Sequence, residues 1–487
     1  MTQPHGAAGV RENHQLERRL RERHIRMIAI GGAIGSGLFL GSGGGISQAG
    51  PAIIGVYILC GIFIFIIMRA LGELLLYRPA IGSFAEYARE FVGPAYGFIT
   101  GWGYWLTWSV LGMADITAAG LLVKYWFPGV PQYVTALVAL AAIVVLNLAS
   151  VGFFGEGEFW FSSIKIVAIV GLIGAGLATL VFDVGPAASG ATLTNLYSHG
   201  GLAPQGVGSI FLAFQIVVFS YQGVELIGMT AAEAKNPQRV LPRAINSIPW
   251  RIGVFYVGSL IVLLSLFPWT HFSAGESPFV KALTHIGIPA AASIMNFVIL
   301  ASVLSSCSAG LYSNGRLLKK LADDGVAPRK LSRTNRHKVP AAGIIYSAAV
   351  MLLGVLVNAV VPDKAYIYIT SVATLGAVWS WGMILISHMS YRRQVRAGTA
   401  PPSTFRLPWA TPLCLITLLF LLGVTVLLGF DSDQRVALYA LPIWAAILIG
   451  AYLATRKRSQ HMADGAESLP AMTVHSPNPT PAPSEDI

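Results

Sequence analysis

Between Gly31 and Gly45 this 487-residue chain reads GGAIGSGLFLGSGGG, apolar enough for a membrane interior yet carrying eight glycines in fifteen residues. A continuous spanning helix is not built that way, because each Gly costs roughly 0.5–1 kcal/mol against Ala in a helix. Non-helical backbone at membrane depth survives only where protein buries it or where it lines a cavity. The stretch therefore reads as a helix broken around a polar ligand. Close helix packing through small residues, as in G-x-x-x-G pairs, is the competing reading.

Composition supplies the setting. Of all residues 54% are hydrophobic and 11% charged, with a mean hydropathy of +0.64, whereas soluble domains carry about 25% charged residues. Apolar windows of about 20 residues fall at 27–49, 52–76, 96–122, 132–152, 158–182, 206–231, 247–270, 285–312, 340–361, 365–390, 409–430 and 436–455. An all-α polytopic membrane protein with about twelve spans follows, its partner the lipid bilayer. The first window follows a basic segment and lacks a small-residue cleavage site, so it is expected to be retained.

The net charge of +11 does not point to nucleic acid. With the N-terminus cytoplasmic and alternating loops, 28 of 33 Lys and Arg fall on the cytoplasmic side; Lys124, Lys281, Lys364 and Arg435 lie outside and Lys165 sits within a span. This asymmetry is the positive-inside rule, and it puts both termini in the cytoplasm. A nucleic-acid face would gather the charges, which here are spread over short loops and tails. Cys60, Cys307 and Cys414 all lie in expected spans without C-x-x-C spacing and read as structural. No metal cluster, Walker loop or catalytic constellation is present in the sequence, so neither a cofactor nor an enzymatic role is expected.

Transporters built from inverted repeats carry discontinuous helices at corresponding positions of their halves, with the site between them. Five spans after the first break, Phe214 to Glu233 reads FQIVVFSYQGVELIGMTAAE, and Ser220, Gln222, Gly223 and Glu225 interrupt an apolar helix within six residues. A carboxylate at the depth of Glu225 costs at least about 2.5 kcal/mol and normally marks function; a Glu held structurally between helices is the alternative. Together the two breaks suit a zwitterion. The half-helix restarting near Ser36 offers free N–H groups and a positive dipole end to a carboxylate, with the Ser36 hydroxyl as an additional donor. Released carbonyls at Ala33, Ile34, Phe219 and Gln222 can accept from an ammonium.

Other ionisable residues fall within spans. Lys165 lies about seven residues, roughly 10 Å, into the fifth span. It either snorkels to the cytoplasmic surface or reaches the first break and the Ser305–Ser306 pair, standing where a sodium ion would sit in a sodium-coupled relative. A desolvated Lys titrates readily. Asp115 falls nearer the outer face, as an interfacial polar residue or a substrate or proton ligand. Arg69 and Glu73 are spaced as an i,i+4 structural pair. Trp102, Tyr104, Trp105 and Trp108 read as core packing or interface belt, while Phe219 and Tyr221, flanking the second break, are the gate candidates.

At IRMIAIGGAIGSGLFLGSG, MRALGELLL, FGEGEFWFSSIKIVAIV, GVELIGMTAAEAKNPQRVLPRAINSIPWRI and LYSNGRLLKKLADDGVAPRKL the chain resembles the amino-acid/polyamine/organocation permeases over about residues 17–455. Within the bacterial branch, GMADITA, GEGEFWF and RAINSIPWRI look most like permeases for D-serine, D-alanine and glycine. The resemblance implies a LeuT-like five-plus-five inverted repeat with broken helices 1 and 6 and two further helices. It implies proton-coupled import, Ser36 and Gly37 for the carboxylate, carbonyls near Ala33, Phe219 and Gln222 for the ammonium, and Lys165 for coupling, and it extends the substrates to L-alanine and D-cycloserine. Gln222 departs from the small or apolar residue usual at its position. The expected layout is a basic segment 1–23, a transporter core 24–391, two helices over 392–457 and a disordered tail 458–487.

The expected function is cytoplasmic-membrane import of small neutral amino acids with protons by alternating access. Sister specificities for 4-aminobutyrate, asparagine or aromatic amino acids, an exchanger and a membrane sensor are the competing readings; the short polar tails argue against a sensor. Oligomeric state is not readable from the sequence.

Overall fold

In lipid the backbone of these apolar runs finds hydrogen-bond partners only within its own helix, and the chain folds accordingly. The computed structural model describes residues 34–78, 84–149, 153–182, 190–226, 237–285, 289–335 and 339–467. Among them helices alternate with turns, and no strand occurs. Helix α1 starts as a π-helix, Gly37–Gly41, and continues as Ser42–Ala49. Helices α2 (Ile53–Tyr77), α3 (Ala85–Phe91), α4 (Pro94–Val123), α5 (Gln132–Ala149) and α6 (Phe153–Phe182) complete the first half. Helix α7 (Val207–Ser220) opens the second, followed by α8 (Pro237–Asn246) and α9, formed by Ile248–Arg251, Ile252–Gly258 and Ser259–Leu266 in succession. Helices α10 (Pro278–His285), α11 (Pro289–Asp323), α12 (Ala341–Val360) and α13 (Pro362–Arg396) end the core, and α14 (Ala410–Leu427) and α15 (Val436–Glu467) follow it. The last helix runs past 458, where a disordered tail was expected.

Ten described helical stretches are long and apolar enough to cross a membrane; one of them, Gly37–Tyr77, joins α1 to α2, and Val207–Ser220 is a shorter apolar helix. Each of the twelve expected windows thus contains a helix. The described residues carry one side of each expected break, at the first and sixth spans. Ile34 and Gly35 are bent and the helix begins at Ser36, while α7 stops at Ser220 and residues 221–225 form turns. Gly223, at φ +92°, takes a left-handed conformation that favours glycine.

Helix α4 is the centre of the bundle: 83% of its most apolar window is buried, against 11% for α15, which therefore faces lipid. Small residues allow the close approach this requires. A Cβ on Gly310 of α11 would stand 2.8 Å from the Trp108 ring of α4.

The i,i+4 pairing of Arg69 with Glu73 is corrected here. Glu73, 1% exposed, instead accepts from His388 Nε2 at 2.9 Å, Arg392 at 2.9 Å and the Leu407 N–H at 2.7 Å. Arg69 lies over the Phe405 ring, 3.8 Å from its centroid, and donates to Asn246 and to the Arg406 carbonyl. Packing of the 397–409 loop over the end of α2 buries the carboxylate, which then needs several donors rather than one exposed neighbour. Glu73→Ala is expected to strip His388 and Arg392 of their shared acceptor and to destabilise the protein by about 3 kcal/mol. A detergent unfolding curve checks this; an unchanged midpoint would show the network to be dispensable.

Candidate substrate-binding site

The two breaks meet. Gly37 packs so tightly on α7 that an added Cβ would lie 2.4 Å from Ser220 Cα, and the Ser220 hydroxyl is 2.8 Å from the Gly37 carbonyl. Tyr57 Oη, 3.1 Å from Ser220 Oγ, and Tyr256 Oη, 3.2 Å from the Ser220 carbonyl, hold the end of α7 from the far side. A cavity opens beside this contact, lined by Gly35, Ser36, Gly37, Trp108, Leu111, Asp115, Phe219, Ser220, Gln222, Gly223 and Ser306. The cavity is small, about 20 Å³ in volume, and partly open to its surroundings.

Of the residues singled out from the sequence, Ser36, Gly37, Asp115, Phe219, Gln222, Gly223 and Ser306 line that cavity. Ala33 lies outside the described residues. Ile34 is buried beside it, its carbonyl 3.5 Å from Ser302 Oγ. Asp115 is not interfacial: it is 1% exposed, and its Oδ1 accepts from the Ser36 hydroxyl at 2.8 Å. That hydroxyl is thus committed to Asp115, which leaves the half-helix N–H groups as the donors for a ligand carboxylate. Ser306 faces the same carboxylate, and Lys165 lies within its electrostatic reach. Lys165 is 1% exposed, so it does not snorkel. Ser305 is buried on the same helix as Ser306.

Glu225 is buried just off the cavity, its Oε2 accepting from the Gly223 N–H at 3.2 Å and from Trp381 Nε1 at 3.4 Å. It braces the second break from behind. Tyr221 also turns away: its hydroxyl donates to the Tyr57 carbonyl at 2.9 Å and its ring stacks on Tyr256 at 4.8 Å. Phe219 keeps the position expected of a gate, its ring edge-on to Tyr366 at 6.2 Å. Tyr366, which the sequence reading passed over, donates to the Ser36 carbonyl at 3.0 Å and so ties α13 to the restart of α1. Near the start of α1, Phe39 packs edge-on against Phe279 of α10 at 5.2 Å.

Trp108 is a wall of the cavity as well as a core residue, contrary to its reading as packing alone. A signal was available: Trp108, Leu111 and Asp115 are spaced i, i+3, i+7 and share one helix face. For Tyr366 no comparable signal exists, because its contact is with a carbonyl 330 positions away. Among the described residues no group of His, Cys, Asp and Glu could hold a metal ion.

Two broken helices enclosing a polar cavity in a helical membrane bundle define a secondary transporter. The amino acid permease family matches residues 24–463, and the chain belongs to that family. It is 44% identical to an uncharacterized transporter, YdgF, of Bacillus subtilis over 445 residues, 91% of this chain and 97% of the relative. It is equally 44% identical to a D-serine/D-alanine/glycine transporter of Escherichia coli over 451 residues, 92% and 96% of the two chains. An L-asparagine permease of Streptomyces coelicolor is 44% identical over 456 residues, 93% of each. The protein is therefore a multi-pass amino-acid permease with a small amino-acid substrate, and not an enzyme.

Proposed function

We propose that this permease imports small neutral amino acids, namely glycine, D-alanine and D-serine, with L-alanine and D-cycloserine also accepted, by proton symport with alternating access. It acts in the cytoplasmic membrane with both termini inside. The observation that carries this reading is the contact of Gly37 with Ser220, which sets two broken helices around one small polar cavity. The N–H groups of Ser36 and Gly37 take the substrate carboxylate, and the carbonyls of Ala33, Ile34, Phe219 and Gln222 take its ammonium. Lys165, buried within electrostatic reach of Asp115, carries the coupling role, with Asp115, Glu225, Ser305 and Ser306 as the further groups that gate or couple. Phe219 moves with the gate. The 44% identity to a D-serine/D-alanine/glycine transporter supports the small-substrate assignment. A carboxamide substrate is the second reading, favoured by the polar Gln222 in the cavity and by the asparagine permeases among the relatives.

Uptake of labelled amino acids into proteoliposomes, with a panel of unlabelled competitors, tests the assignment. Glycine, D-alanine, D-serine and D-cycloserine are expected to compete. Ethylamine and ethanolamine are expected to fail even at a hundredfold excess, because half-helix N–H donors need an anion. Effective competition by either amine would remove the carboxylate role of the first break, and best competition by phenylalanine, lysine or 4-aminobutyrate would move the substrate elsewhere in the family.

A further inference from the structure

We propose that the cavity contains a subsite for a substrate side chain that donates hydrogen bonds. Among the amino acids the site accepts, those bearing a hydroxyl or carboxamide are then held more tightly than alkyl counterparts of the same shape. This rests on the amino-acid reading of the site given above. Two side-chain oxygens carry it, Gln222 Oε1 and Asp115 Oδ2. Both are buried without a hydrogen-bond partner in the protein, and both residues line the same cavity at 7% and 1% exposure.

Their chemistry is settled by what their other atoms do. Gln222 Nε2 lies 2.5 Å from the Ala373 carbonyl, which can only accept, so the remaining amide atom is the oxygen. The other oxygen of Asp115 takes the Ser36 hydroxyl at 2.8 Å. Both open positions are acceptors, and a buried acceptor left unpaired is costly. A substrate carboxylate brings no donor to them. The ammonium is met by main-chain carbonyls at the breaks. The side chain remains, and it must present O–H or N–H. An anionic side chain is repelled by Asp115, and a cationic one adds a second positive charge beside Lys165. Trp108 and Leu111, on the Asp115 face of α4, supply the apolar wall that orients it.

Ligand-induced thermal stabilisation of the purified full-length protein, titrated with shape-matched pairs, tests the subsite. The pairs are serine with 2-aminobutyrate and asparagine with leucine. In the wild type each polar member is expected to bind about tenfold more tightly than its apolar match. In Gln222→Met, similar in length but without a strong acceptor, that ratio is expected to fall toward one. Equal affinity within the wild-type pairs overturns the proposal, and this comparison decides alone if the variant does not fold. A Gln222→Met protein that loses every ligand by the same factor also overturns it, because the oxygen would then serve the common ammonium. Binding of glycine and alanine without a polar preference defeats the subsite and leaves the amino-acid reading standing. If no amino acid stabilises the protein, that reading itself fails.

Discussion

Lys165→Ala is expected to accumulate glycine in proteoliposomes no further than the passive level under an inward proton gradient, a loss of about tenfold or more at equal reconstitution. The reason lies in what the ammonium faces. Lys165 is buried on α6, within electrostatic reach of Asp115. Asp115 in turn accepts from Ser36, where the first broken helix restarts. A positive charge at Lys165 therefore favours the arrangement in which α4, α6 and the restart of α1 are held together. Removing the ammonium removes that bias and also uncouples it from protons, while counterflow of bound substrate survives. Gradient-driven accumulation equal to wild type would transfer the coupling role to Glu225 or Asp115.

Gly37→Ala is expected to reduce uptake by about tenfold or more, through packing rather than chemistry. The new Cβ would stand 2.4 Å from Ser220 Cα and 3.1 Å from Ser220 Cβ. Main chain cannot rotate away as a flexible side chain does, so the two breaks must separate. Overpacking of this kind costs about 1–3 kcal/mol. Here the displacement falls on the hydrogen bond between Ser220 Oγ and the Gly37 carbonyl, beside the cavity. Gly55→Ala is the matched control: it lies in a helix, with nothing within 4 Å of an added Cβ, and should transport like wild type. Equal behaviour of the two variants in glycine uptake would show that the contact between the breaks is not needed for transport.

The helices and both breaks were legible because each rests on local chemistry. Lipid leaves the backbone no partner but its own helix, so an apolar run of sufficient length is a span wherever it lies. Eight glycines within Gly31–Gly45, and Ser220, Gln222, Gly223 and Glu225 in one short stretch, interrupt such runs whatever surrounds them. The cavity positions of Ser36, Gly37, Phe219 and Gln222 followed from those breaks, whereas the burial of Lys165 was decided only by the fold.

Partner choice was decided only in three dimensions. Arg69 and Glu73 have the spacing of a helical pair, yet Glu73 is buried where His388, Arg392 and the Leu407 N–H converge, and it takes those donors instead. Asp115 looked interfacial by its place along α4, but the crossing with α1 brings it to Ser36. Tyr221 flanks the second break and still points away, because rotation about the end of α7 delivers its hydroxyl to Tyr57. Tyr366 acquires its role from a single contact with the Ser36 carbonyl. By itself the sequence determined which segments span and where two of them are interrupted by polar residues, since hydrophobicity, glycine content and charge act residue by residue. Tertiary structure alone decided which buried polar groups satisfy one another and which two oxygens remain open to the cavity, since hydrogen bonding depends on distances of about 3 Å between residues far apart in the chain.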